Sequence, residues 1–154
     1  MHRFQIREDD LSGADIAALL EFHIAEAIRH SPPASVHAMP IDRLRGPDVT
    51  FWSLWEGEAL AGCGALKELA PDHGEPKSMR TAPAFLRRGV GEAILLHLIA
   101  EARHRGYRRL SLETGRTEPF AAARTLYRKY DFEECPPFGN YRADDFSMCM
   151  TRAF

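Results

Sequence analysis

The sequence predicts an α/β chain of the α+β type, with a mixed, mostly antiparallel sheet of six to seven strands flanked by about four helices. Apolar residues recur at period two in several short segments and at helical spacing in longer ones. These segments follow the order strand, helix, three strands, helix, strand, helix, and a last strand or two, with no internal repeat. The strict strand–helix alternation of a doubly wound nucleotide fold is absent.

Each element has its own signal. HRFQIRE alternates polar and apolar residues and reads as a strand that Asp9 and Asp10 end. Ser12 is a candidate N-cap for a helix with Ile16, Leu19, Leu20, Ile24 and Ala27 on one face, stopped by SPP at 31–33. The segment 31–48 holds four of the ten prolines and reads as a loop with a short helix at 41–45. Long connections of this kind often carry function. VTFWSLW and ALAGCGAL flank Glu56-Gly57-Glu58, the pattern of an antiparallel hairpin, and EPKSMRTA adds a third strand after a turn at 71–74. The stretch FLRRGVGEAILLHLIAEARHRG then opens a helix with Ile94, Leu95, Leu98, Ile99 and Ala102 on one face. RRLSLET reads as a strand, FAAARTLYRKY as a helix, FEECPPF as a turn into a short strand, and FSMCMTRAF as the last strand.

At 154 residues the chain fits one domain, 1–154. Its 45% hydrophobic and 27% charged residues are those of a folded globular protein. With 20 basic against 22 acidic residues the net charge is -2, so the chain lacks the positive field that nucleic-acid binding exploits. No apolar run approaches the roughly 20 residues of a membrane helix. MHRFQIREDD lacks the apolar core of a signal peptide, and a cytoplasmic location with no membrane partner is expected. Cys63, Cys135 and Cys149 are too far apart for a CxxC motif and read as free thiols.

In FLRRGVGEAIL, Gly89 and Gly91 let the backbone approach a ligand, and the helix that follows offers unpaired N–H groups to an anion. No GK[ST] follows as in a P-loop, and Ile94 stands where GxGxxG requires glycine. On these residues alone the stretch is either a phosphate cradle or an ordinary glycine-rich helix start.

TAPAFLRRGVGEAIL resembles motif A of the GCN5-related N-acetyltransferase (GNAT) superfamily, V-x-P-x-x-[RQ]-x-x-G-x-[GA]. Thr81, Pro83, Gly89 and Gly91 stand at the first, proline and two small positions, and Leu86 replaces the usual Arg or Gln. AAARTLYRKYDF is similar to the superfamily's A-x-x-L-Y-x-[KR]-x-G-F, with Ala123, Leu126, Tyr127, Lys129 and Phe132 in place. Asp131 stands where glycine is usual, and Phe120 where asparagine is frequent. Motif order and element order match the GNAT fold along the whole chain. More narrowly, the chain resembles a bacterial subgroup of small uncharacterised acetyltransferases.

The resemblance implies acetyl-CoA as co-substrate and no metal. Its pyrophosphate would lie on the backbone of Arg87, Arg88, Gly89, Val90, Gly91 and Glu92, and its pantetheine arm beside Met79, Arg80 and Thr81. Tyr127 would be the acid that protonates the departing thiolate. Glu75 and Glu113 are the candidate bases, with His37 a third. His37, Lys77 and Tyr141 are the candidate acceptor contacts, Tyr141 as an exposed residue of a turn able to close over the acceptor. Strand alternation sends Lys77 and Arg80 to opposite faces, so at least one meets the cleft and favours an acceptor with a carboxylate. Trp52 and Trp55 likewise face opposite ways, one toward the core and the other toward the acceptor pocket or another packing site. His23, on the apolar side of its helix, reads as an interior histidine. The expected activity is acetyl transfer by direct attack of a small molecule's primary amine. Acetylation of a peptide amino terminus and a non-catalytic CoA-binding sensor module are the alternatives, and a homodimer is in keeping with the superfamily.

Overall fold

In a computed structural model describing residues 4–154, the chain runs through β1 (Gln5–Glu8), α1 (Ala14–His30), α2 (Ile41–Leu44), β2 (Val49–Glu56), β3 (Ala59–Ala70) and β4 (His73–Thr81). It continues through α3 (Val90–His104), β5 (Arg109–Gly115), α4 (Ala121–Lys129), β6 (Glu133–Cys135) and β7 (Ser147–Ala153). His2 and Arg3 of the expected first strand lie outside the described residues. The seven strands form one sheet in the order β1-β2-β3-β4-β5-β7-β6, in which only the β4–β5 pair is parallel.

That parallel pair positions the site. β4 and β5 pair only at His73↔Arg109 and Gly74↔Leu110, after which β4 keeps β3 as its neighbour and β5 keeps β7. The sheet splits into a wedge whose walls are 75–81 and 111–115. Within β4 the register against β3 steps from Ala65↔Lys77 to Cys63↔Arg80, three residues on one strand against two on the other. The extra residue is a β-bulge, and Ser78 sits in it at φ 53, a left-handed conformation that costs a serine about 1 kcal/mol. The expected opposition of Lys77 and Arg80 is thereby overturned: the bulge turns both to the same cleft.

The helices cover the two faces. α1 and α2 bury Ile16, Leu19, Leu20 and Leu44 with Phe51, Cys63 and Ala65 on one side. α3 buries Val90, Ile94, Leu95, Leu98 and Ile99 with Trp52, Leu54 and Leu66 on the other, where Leu126 and Tyr127 of α4 join it. α3 can approach β3 because Gly62 and Gly64 lack side chains: a Cβ on Gly62 would lie 2.5 Å from Val90, and one on Gly64 2.5 Å from Ile94. One expectation changes here, and one open alternative is decided. The N-cap of α1 is Gly13 rather than Ser12, whose hydroxyl donates to Asp10 instead (2.6 Å). Trp55 stays away from the cleft, with its indole N–H on Ser53 Oγ (2.8 Å) and Arg7 over its ring.

Candidate active site

The wedge is the mouth of a cleft enclosing about 240 Å³, walled by β4, β5, α1, the proline-rich loop at 31–39, and α4. The start of α3 adjoins the end of β4 and α4: a Cβ on Gly91 would lie 4.0 Å from Thr81 and 3.6 Å from Leu126. Gly89, at φ 81, caps that helix without any side-chain hydrogen bond, and Arg87 is also left-handed at φ 62. A first turn with no side-chain cap leaves its N–H groups to an external acceptor, and an anion is the partner the helix dipole favours. Together with the β4 edge beyond Gly74, which β5 leaves unpaired, these residues fit a ligand with a phosphate end and an amide-bearing arm.

The arginines beside this turn are placed differently. Arg88 makes an ion pair with Glu56 (2.9 Å) and stacks on Phe85, whereas no ion pair with Arg87 occurs among the described residues. Glu92 faces α4, where Lys129 (2.6 Å) and the Tyr130 hydroxyl (2.8 Å) donate to it. It ties the helices together.

Deeper in the cleft lie two carboxylates with different surroundings. Glu75 is buried and accepts from the Tyr141 hydroxyl (2.5 Å) and from Lys77 (3.3 Å), while Lys77 also donates to that hydroxyl (2.8 Å). Tyr141 is therefore not the exposed turn residue of expectation. Its ring meets His37 edge-on at 5.0 Å, and burial, then the negative charge of Glu75, push its phenol far up. Glu113 sits on the opposite wall. Burial pushes its carboxyl up to about 7, against a smaller downward pull from Ser147 and Lys77. Burial, and then the charge of Glu113, push the Tyr127 phenol up to about 12, and among the described residues its hydroxyl has one hydrogen-bond partner, Met79 Sδ at 3.9 Å.

His23 belongs to the site as well. It accepts from Arg80 Nε at Nδ1 (3.0 Å) and lines the cleft, so it is not merely an interior residue. Burial and the adjacent guanidinium hold it down at about 4, which keeps it neutral. Arg80 has Phe22 beneath it and no carboxylate in ion-pair contact among the described residues. Ser78 Oγ, also in the cleft wall, is buried without a hydrogen-bond partner among the described residues. His37 is exposed at the rim and lowered by burial and by Lys77. Above the cleft Ser35 Oγ donates to Asp144 Oδ2 (2.6 Å), clasping the proline-rich loop to the loop before β7 and holding that carboxyl at about 2. No group of three or more metal-ligating side chains occurs among the described residues.

Comparison with known proteins bears on what this cleft does. The profile of the Acetyltransferase (GNAT) family matches residues 16–132. The uncharacterized N-acetyltransferase YsnE of Bacillus subtilis is 51% identical over 147 residues, 96% of this chain and 97% of that one. The uncharacterized N-acetyltransferase YedL of Escherichia coli is 52% identical over 148 residues, covering 96% and 93%. Among solved structures, a GNAT family acetyltransferase from Elizabethkingia anophelis with acetyl-CoA bound has a TM-score of 0.74 at 18% identity, over the full length of both chains. At that identity the likeness concerns the fold.

Proposed function

The chain belongs to the GNAT acetyltransferase family, and we propose that it moves the acetyl group of acetyl-CoA to the primary amine of a small acceptor carrying a carboxylate, such as an amino acid. The observation that carries this reading is the wedge between β4 and β5, which opens onto a cleft holding Glu113 and Tyr127, with the start of α3 beside the end of β4 at Thr81.

The co-substrate supplies an acetyl group activated as a thioester. Backbone N–H groups of 89–92 hold its pyrophosphate, and the free edge of β4 at Met79 and Thr81 holds its arm. Glu113, poised near neutrality, takes the proton that the acceptor ammonium must lose before its nitrogen can attack the acetyl carbon. Tyr127, protonated at every working pH, gives a proton to the departing sulfur. Glu75 has a positioning role in this scheme, because its carboxylate is engaged by Lys77 and Tyr141.

Arg80 gives the acceptor its second requirement. A half-buried guanidinium without a carboxylate partner is costly unless a ligand supplies one, and neutral His23 fixes its direction. The clasp over the cleft favours a small acceptor over a peptide chain.

The test is release of free thiol from acetyl-CoA over a panel of amino acids, polyamines and peptides. Turnover with amino acids is the expected result. Turnover confined to peptides or to carboxylate-free amines would overturn the acceptor class, and CoA binding without turnover on any amine would favour a sensor.

A further inference from the structure

A second cavity of about 260 Å³ lies behind the wall formed by His37, Glu75, Lys77 and Tyr141, and those four residues line both spaces. Its remaining ionisable groups are both cations, Arg43 and Lys67. We propose that this cavity is a second anion subsite, so that the acceptor carries an anionic group in addition to the carboxylate assigned to Arg80; the inference rests on the acceptor reading above.

The argument starts from Lys67. It stands directly across the β3–β4 ladder from Glu75, the position at which opposite charges ordinarily pair. No such pair forms: the Glu75 carboxylate turns away to Tyr141 and Lys77. Lys67 is left half-buried beside a cavity, without an ion pair among the described residues, and the solvent-exposed Arg43 borders the same space, likewise without one. The single carboxylate in that wall is thus already neutralised by Lys77. Two uncompensated cations remain, and they lie beyond the residues that would surround the acceptor amine. Continuing the β4–β5 register brings Glu113 level with Lys77, so the amine end of an acceptor lies next to the shared wall. To enter the second cavity its far end must pass Tyr141, which lines both spaces.

An amino acid whose side chain ends in a carboxylate meets this description; its neutral amide counterpart does not. L-Glutamate and L-glutamine are therefore the acceptor probes, since they differ only in the distal group, a carboxylate against a neutral carboxamide of the same size. The expected result is a kcat/KM at least tenfold higher for glutamate in the wild type, falling toward parity in Lys67→Gln and in Arg43→Gln. A fold-change of that size corresponds to one charge-assisted hydrogen bond. Equal use of both acceptors by the wild type, or a preference that survives both substitutions, would overturn the subsite. Titration calorimetry with glutarate, which has no amine, separates this from failure of the acetyl-transfer reading. Saturable binding weakened about tenfold by Lys67→Gln upholds the subsite even if no amine is acetylated, and binding that is absent or identical in both proteins overturns it. Thermal unfolding of each variant verifies that the comparison is between folded proteins.

Discussion

Glu113 and Tyr127 face each other across the cleft in protonation states set by burial rather than by an ion pair. A base raised to about 7 is protonated in acid, so kcat/KM should climb about tenfold per pH unit below that value and level off above it. Glu113→Gln should abolish the limb and cut turnover; a wild-type profile flat from pH 5 to 8 would contradict the assignment. The same burial has a consequence for stability. A carboxyl whose folded pKa lies above its unfolded value favours the folded state in acid, and that benefit is lost as pH rises through about 7. Glu113→Gln is accordingly expected to unfold later than wild type at pH 8, by on the order of 2 kcal/mol, and with no advantage at pH 4. Tyr127→Phe should lower kcat by roughly 100- to 10,000-fold and leave acetyl-CoA affinity as it was. Equal turnover of the two proteins would remove Tyr127 from the chemistry. His23→Ala should raise KM for a carboxylate-bearing acceptor through Arg80, with His23→Asn restoring part of it; a loss of kcat alone would show that the pair serves another purpose.

At the scale of elements, what could be read in the sequence followed periodicity, and what escaped it followed local irregularity. The face of α3 with Ile94, Leu95, Leu98, Ile99 and Ala102 was legible because helical spacing alone specifies it, and all five residues are buried. The hairpin at Glu56-Gly57-Glu58 was legible because a glycine at φ 61 suits a tight turn. The bulge in β4 was not, since no residue type announces an insertion and Ser78 is an unusual occupant of a left-handed position. Missing it misplaced Lys77 and Arg80. His23 could be assigned to the apolar stripe of its helix, but its partner lies 57 residues away on a strand, beyond what spacing reveals. Tyr141 was sought in the right neighbourhood and given the wrong exposure, because its bond to Glu75 spans 66 residues. The packing of α3 on β3 carries its own test. Gly62→Ala places a methyl group 2.5 Å from Val90 and 2.8 Å from the Arg80 carbonyl, and should cost about 1 to 3 kcal/mol in unfolding free energy. An unchanged melting temperature would mean that α3 has room to move.

Across the whole molecule, the single parallel strand pair divides the sheet into two antiparallel halves, β1 to β4 and β5 to β7, and the cleft is the seam between them. Each half contributes what the other lacks. The first supplies Arg80, Lys77 and Glu75, the second Glu113 and the Tyr141 turn, and α3 starts beside Thr81 at the end of β4. With a net charge of -2 the surface as a whole does not select anions, and in the proposed reading that selection falls to the cations gathered in and beside the seam. The most direct measurement is a crystal structure of the protein with CoA and L-glutamate. The account predicts the pyrophosphate on the N–H groups of 89–92, the sulfur between β4 and β5 within reach of the Tyr127 hydroxyl, and the amine against Glu113. CoA bound on another surface, or a glutamate whose amine faces away from Glu113, would contradict it.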